Sequence, residues 1–514
     1  MYRYKKWVVL LVGLFVLAAS GASQGQPQAG GTLVLAQAGE PPGLDVHKQT
    51  SHVAWRIFEL VYSTLVEFDK DLNIVPHLAK SWEISEDGLI YIFHLNQGVK
   101  FHNGQELTAE DVKFTIERIL DPNTGAINRS FLADIINIAT PDRYTVVLTL
   151  SKPNVALLTH LASPSSSIVS KEVAKGKADL GKVEDIVGTG PYRLVEWKLG
   201  EYILLKRHPE YFIQGLPYID TIKIVVVPEE STILAGLRTG SIDFAYLEDP
   251  FIVKLAEKEP NLVVYSVPML SYHLVFINTK SIPPLADPRV RLAMSYAIDR
   301  QKMVETVMLG QGTPTGPMPI GAKFWALPPS ELPGFTPDIE KAKTLLAEAG
   351  YPNGFNVSLM LSPFEPATAR AEGEFIQAQL KQVGINVNLD LVEWGVYIDR
   401  WKKADFELCL GLNAAIPEPD YVFYRYFHST GGLNFVHGWS NPKVDELLDK
   451  GRIERDPEKR REIYYEVQRI LAEEAVWLWT FSSYYQYVGQ SYVKGFVPMP
   501  TGSWTYLRQT YIEK

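Results

Sequence analysis

Short runs of strand-forming residues alternate along this chain with longer segments of helical periodicity, and that alternation narrows the fold more than any other feature. Thr32-Leu33-Val34-Leu35-Ala36 reads as a first strand and runs into the turn-rich Gly39-Glu40-Pro41-Pro42-Gly43. Leu89 to Leu95, dominated by Ile90, Tyr91, Ile92 and Phe93, reads as another strand behind the turn Glu86-Asp87-Gly88. Thr108-Ala109-Glu110-Asp111 has capping-box spacing and opens a helix with Val112, Ile116, Ile119 and Leu120 on one face. Tyr144 to Leu150 alternates as a further strand. The second half is richer in helix. Arg289 to Leu309 is helix-forming, a second helix starts at Thr336-Pro337 and stops at Gly350, and a long one opens at Asp456-Pro457, burying Ile463, Val467, Ile470 and Leu471. Strand-like stretches lie between, at 356–361, 385–391 and 406–412. The pattern predicts α/β lobes, and 514 residues exceed what one core organises, so two or three domains are expected.

The start of the chain bears on compartment. Arg3, Lys5 and Lys6 precede an apolar run from Trp7 to Ala19, and Ser20-Gly21-Ala22 suits cleavage after Ala22. Residues 1–22 therefore read as a signal peptide, and the Gln-, Gly- and Ala-rich 23–30 as a flexible lead. The apolar run is shorter than the ~20 residues of a spanning helix. Cys409 is the only cysteine, so no intramolecular disulfide and no cysteine-based zinc site can form, and no cysteine follows the cleavage point for acylation. A secreted, periplasmic protein without a lipid anchor is expected. The formal net charge is -9, with acids and bases intermixed and no Lys/Arg block, which argues against a nucleic-acid partner.

Catalytic signatures are missing where they would be diagnostic: no G-x-S-x-G elbow, no H-E-x-x-H helix and no P-loop lysine motif. Gly310-Gln311-Gly312, followed by Thr313-Pro314-Thr315-Gly316, misses the dinucleotide spacing and reads as a turn. The ten histidines are scattered: His94 and His102, like His428 and His437, show no ligand spacing, so neither metal nor cofactor is expected. Glu418 and Asp420 form a carboxylate pair of the kind a glycosidase uses, but a chain with 59 acids holds such pairs without catalysis. The 11 Trp, 26 Tyr and 22 Phe are more suggestive, with Trp394 and Trp439 in loop-like contexts where a ring can stack on a peptide plane or a sugar.

Several motifs then occur in order. Pro76-His77-Leu78-Ala79-Lys80-Ser81-Trp82 leads through Asp87-Gly88 and Tyr91-Ile92-Phe93-His94-Leu95 to Gly98-Val99-Lys100-Phe101-His102-Asn103-Gly104 and Leu107-Thr108-Ala109-Glu110-Asp111-Val112. Gly188-Thr189-Gly190-Pro191-Tyr192, Asp287-Pro288-Arg289-Val290-Arg291-Leu292-Ala293, Ala297-Ile298-Asp299-Arg300, the Lys341 to Gly350 helix with Tyr351-Pro352, and Trp439-Ser440-Asn441-Pro442 follow. Together they resemble the extracytoplasmic solute-binding proteins, family 5, of ABC importers, the oligopeptide-, dipeptide- and nickel-binding type, over essentially all of the chain beyond residue 31.

The resemblance implies a two-lobed α/β clamshell of the periplasmic-binding-protein type, large class, with an extra subdomain in the first lobe. On that pattern 31–75, 188–270 and 488–514 form lobe I, 76–187 the extra subdomain and 271–487 lobe II. The motif-rich stretch from Pro76 then serves mainly to hold the fold. The implied activity is capture of a peptide or similar oligomeric solute by hinge closure, with delivery by a monomer to an inner-membrane ABC permease and its ATPase. Ligand contacts are expected from Tyr272, His273, Trp394, Asn413, Glu418, Asp420, Tyr421 and Trp439. In peptide-binding members an aspartate that pairs with the peptide's α-amino group stands three residues before an acidic-Pro step, and here that position is Ala415. Either Glu418 or Asp420 takes over that role, or the ligand lacks such an amine, which admits an oligosaccharide, a modified peptide or a metal chelate. A secreted glycoside hydrolase and a sensory or chaperone-like adaptor are the readings of other classes.

Overall fold

Three sheets organise the chain. In the first, the order is Leu262–Pro268, Phe481–Gln490, Phe244–Leu247, Thr32–Gln37, Thr221–Val226, Tyr202–Arg207 and Tyr192–Lys198, and Gly312–Pro314 pairs with the start of Phe481–Gln490. Thr32–Gln37 lies centrally between two parallel neighbours, and Leu33, Leu35 and Ala36 are fully buried. A strand covered on both faces reads as an apolar run, which is why it was recognisable. The second sheet runs Asn386–Leu391, Asn356–Leu361, Leu408–Asn413, Tyr272–Ile277 and Trp477–Trp479. The third, antiparallel, runs Ala79–Ile84, Ile90–Leu95, Thr145–Leu150 and Ile135–Asp142. This computed structural model describes residues 27, 29–49, 51–362, 366, 368–413 and 416–513; the expected signal peptide 1–22, most of its lead and Ala415 lie outside the described residues.

The two larger sheets are the centres of two α/β lobes, each with its own apolar core. The chain crosses between them where Pro268 ends one strand and Tyr272 begins the next, and again where Trp477–Trp479 gives way to Phe481–Gln490. Connections that carry few residues between two packed bodies are where a hinge can flex.

The four-stranded sheet docks on the first lobe beside the helix His52–Val61. Two glycines of the Gly188 to Tyr192 motif explain that contact. A Cβ on Gly188 would lie 2.1 Å from the Val61 carbonyl oxygen, and one on Gly190 2.5 Å from the Val61 carbonyl carbon. The His102 N–H donates to the Gly188 carbonyl at 2.9 Å and its Nε2 lies 3.1 Å from the Gly190 carbonyl, so the two motifs clasp the C-terminal end of that helix.

Two helix assignments change. The segment 289–309 is not one helix but two, Pro288–Ala297 and Arg300–Val307. Ile298 is extended at φ -99°, and Asp299 caps the second helix by accepting the Lys302 N–H. The expected Thr336-Pro337 start moves to Ile339–Glu348 because Asp338 is the N-cap, its carboxylate accepting the Lys341 N–H at 2.9 Å. The capping box at Thr108 and the Asp456-Pro457 helix start are as read, although Ile463 and Ile470 are only partly buried there.

Candidate ligand-binding cleft

Both lobes and the four-stranded sheet's subdomain face a common cleft. Its first compartment, of about 450 Å³, is walled by Trp55, Glu59 and Tyr485 from the first lobe, Phe131 and His160 from the subdomain, and Ser271 and Tyr421 from the second lobe. The second compartment, of about 580 Å³, lies between Asp71, Tyr91 and Asn154 on one side and Phe324, Glu418 and Arg455 on the other. Phe68, Thr159 and Pro417 line both, so they form a waist in one continuous groove. The volumes suit a ligand of several residues or sugars.

Polar and aromatic groups share the walls. Glu67 holds Arg508 in a two-point pair at 2.9 and 2.7 Å, and His77 Nε2 stands 3.6 Å from the same carboxylate. Burial opposes the charge on Glu67, but His77 and Arg508 outweigh it and hold the carboxyl below its ordinary value. The His160 ring stacks on Phe131 with centroids 4.5 Å apart, and burial lowers its pKa to about 4, so it is neutral at physiological pH. Phe131 in turn meets Tyr421 of the opposite lobe at 5.7 Å.

A groove walled by two lobes joined through narrow crossings agrees with a sequence profile, that of the bacterial extracellular solute-binding proteins, family 5 Middle, which matches residues 73–434. The chain belongs to that family. As a family 5 solute-binding protein it is 31% identical over 469 residues to heme-binding protein A of Haemophilus influenzae, covering 86% of this chain and 85% of that one. It shares 29% identity and a TM-score of 0.73 with the periplasmic binding protein DppA of Helicobacter pylori in complex with the peptide STSA, over 95% of this chain and 99% of that one. HbpA2 of Haemophilus parasuis gives 28% identity and a TM-score of 0.85, over 94% of this chain and all of that one.

Family 5 membership places the eight expected contact residues in a two-lobed frame, and they fall into distinct environments. Tyr421 lines the first compartment and Glu418 the second. Glu418 is already engaged: it caps the helix Pro419–Phe427 and takes both guanidinium nitrogens of buried Arg460, at 3.0 and 2.5 Å. Asp420 stands 3.3 Å from Arg452, and burial raises its pKa to about 6. Tyr272 and Asn413 are cross-strand partners, the Asn413 amide donating to the buried Tyr272 hydroxyl at 2.9 Å. Trp394 opens the helix Trp394–Lys402 and stacks on Tyr397 at 5.2 Å. Trp439 is buried and donates its indole N–H to Glu474 at 2.6 Å. Of these, Asp420, Tyr272, Asn413, Trp394 and Trp439 line neither compartment.

His273 is the eighth. It lies 2.9 Å from Glu372 through Nδ1 and 3.0 Å from the Ser483 hydroxyl through Nε2. The order Ser–His–Glu is that of a base-activated nucleophile. Here Ser483 and His273 line neither compartment, and the three residues tie the strand Phe481–Gln490 to the helix Ala369–Lys381 across the hinge side of the fold. Among the described residues no group of three metal-ligating side chains occurs, and no helix is long and apolar enough to cross a membrane.

Sequence reasoning passed over His52, Trp55 and Glu59, which all line the first compartment. Their spacing of three and four puts them on one face of the helix that Ser51 opens, so the signal was present in the sequence.

Proposed function

We propose that this chain is the solute-binding component of an ABC importer. It captures a peptide or similar oligomeric solute between its lobes, closes on it, and presents the closed form to an inner-membrane permease driven by its ATPase. The observation that carries this reading is the groove itself, whose walls come from both lobes at once, so a ligand filling it stabilises closure through contacts that the open form lacks. An oligosaccharide or metal chelate is the alternative cargo on the same fold.

The reading includes secretion to the periplasm through cleavage of residues 1–22, no lipid anchor, a monomeric state and no turnover of the ligand. Lobe I comprises 31–75, 188–270 and the C-terminal segment, with 76–187 as its subdomain. Tyr484 to Gln490 pairs with Leu262–Pro268, so the last boundary is better drawn near 480 than at 487.

The test is a thermal-shift panel on the mature chain, stripped by partial unfolding, against di- to oligopeptides, oligosaccharides and nickel chelates. A ligand at a hundred times its dissociation constant adds about 2.7 kcal/mol to the native state. The expected result is a clear shift with one class, a smaller radius of gyration in X-ray scattering, and recovery of the ligand intact. A ligand recovered cleaved, or bound with no change in scattering, would refute capture by closure.

A further inference from the structure

The helix His52–Val61 turns one face to the cleft, and that face presents His52, Trp55 and Glu59, with Ser63 just beyond the helix end. Among the described residues, two acids line the first compartment, Glu59 and Glu67. Glu67 is neutralised by its two-point pair with Arg508. Glu59 accepts the Trp504 N–H at 2.8 Å through Oε2, and among the described residues it forms no ion pair. The neighbouring cation is turned away: the Arg56 guanidinium lies 3.9 Å over the Tyr246 ring and 5.5 Å over Trp504, and its Nε donates to the Gly502 carbonyl at 3.2 Å. A carboxylate partly removed from water without a bonded cation is unfavourable, and burial raises the Glu59 carboxyl to about 7. Trp55 and Tyr485 line the same compartment, and aromatic rings attract cations in their own right. In the second lobe Glu418 is taken up by Arg460, and Asp420, approached by Arg452 at 3.3 Å, lines neither compartment.

We infer that the cleft takes a ligand bearing a primary ammonium group and that Glu59, on the first lobe, is its counter-ion. The inference rests on the solute-capture reading above and adds the charge of the cargo and the residue that selects it. The ammonium pairs with the carboxylate beside its contacts to the Trp504 backbone N–H and the Ser503 side chain. A peptide's N-terminus and a lysine side chain offer the same group, and the experiment separates them.

Three synthetic peptide pools of equal length are presented to the stripped mature chain: free N-termini without lysine, acetylated N-termini with one lysine, and acetylated N-termini without lysine. Bound peptides are eluted and quantified by mass spectrometry. The parent should retain an amine-bearing pool at least about tenfold over the third, the first pool if the N-terminus sits at Glu59 and the second if lysine does. Glu59→Gln keeps an acceptor for the Trp504 N–H but carries no charge, and it should retain the pools equally. Equal retention by the parent, or undiminished discrimination by Glu59→Gln, would overturn the assignment while leaving solute capture intact. Retention of none of the pools would remove the peptide-like reading and the ammonium assignment with it. The parent's preference tests the ammonium by itself; where Glu59→Gln does not fold, Glu59→Asp, which keeps the charge on a shorter side chain, tests the residue and should weaken the preference, and an unchanged preference would place the counter-ion elsewhere.

Discussion

Arg300 is buried in the second lobe without a carboxylate against it. Its guanidinium donates to the carbonyls of Trp479 at 2.7 Å, Gly334 at 3.0 Å and Ser295 at 3.1 Å, and to the Ser295 hydroxyl at 2.8 Å. Burial lowers its pKa to about 9, yet the fork of donors reaches all four of these oxygens at once. A lysine supplies charge but not the planar fork. Arg300→Lys should therefore cost about 3 kcal/mol, since each buried acceptor left unpaired costs about 1–3 kcal/mol, and chemical denaturation of parent and variant measures it. A loss under about 1 kcal/mol would mean that the carbonyls find other donors. This residue also shows where sequence reading succeeds and stops. The Ala297 to Arg300 motif was legible as a pattern, but that its arginine gathers carbonyls from three separate segments is a fact of packing. The same holds in the cleft. Tyr421 and Glu418 could be chosen by residue type, whereas Trp439 and Tyr272, equally plausible as types, spend their polar atoms on Glu474 and Asn413.

At the scale of elements, the subdomain is fastened to the first lobe by a buried cluster. Arg118, from the helix Ala109–Leu120, donates to Asp45 at 2.6 and 3.2 Å and to His47 Nδ1 at 2.6 Å. Arginine only donates, so Nδ1 is the acceptor and the ring proton sits on Nε2, facing the Ser167 carbonyl at 3.0 Å. That tautomer is neutral, and burial lowers the His47 pKa from 6.5 to about 4. Between those values the unfolded chain binds a proton that the folded chain refuses, so stability is lost as pH falls through that window, by up to about 1.4 kcal/mol per pH unit for one group. Half-buried His102 and buried His437, lowered to about 3 and about 4, act in the same sense. His47→Gln should therefore flatten the pH dependence between 6.5 and 4 by at most one proton relative to the parent, read from denaturant midpoints at several pH values. An unchanged slope would place the proton elsewhere. The helix bearing Arg118 was legible because its cap and apolar stripe are local. Its docking partner was not, because Asp45 lies 73 residues away, just past the turn-rich Gly39 to Gly43 in a stretch without local pattern.

At the scale of the whole molecule, the lobes also touch away from the hinge. Lys323, in a left-handed conformation at φ 49°, reaches from the second lobe to Asp71 at 2.9 Å and the Lys70 carbonyl at 2.5 Å in the hairpin turn of the first. Arg455 donates to the Ser85 carbonyl at 3.0 Å on the subdomain. Both contacts rim the second compartment, whose wall includes Asp71 and Arg455. Exposed ion pairs contribute little each and are screened by salt, so these are light restraints on lobe position and not locks. If the contacts belong to the unliganded arrangement, loosening them frees the lobes to close, and apparent affinity rises by the factor that the open form loses. Lys323→Met should thus bind ligand a few-fold more tightly than the parent at low salt, the two should converge in 1 M salt, where the Debye length is about 3 Å, and both should scatter X-rays alike once saturated. Weaker binding by Lys323→Met would place the contact in the closed form instead, where it would hold the cleft shut over its cargo.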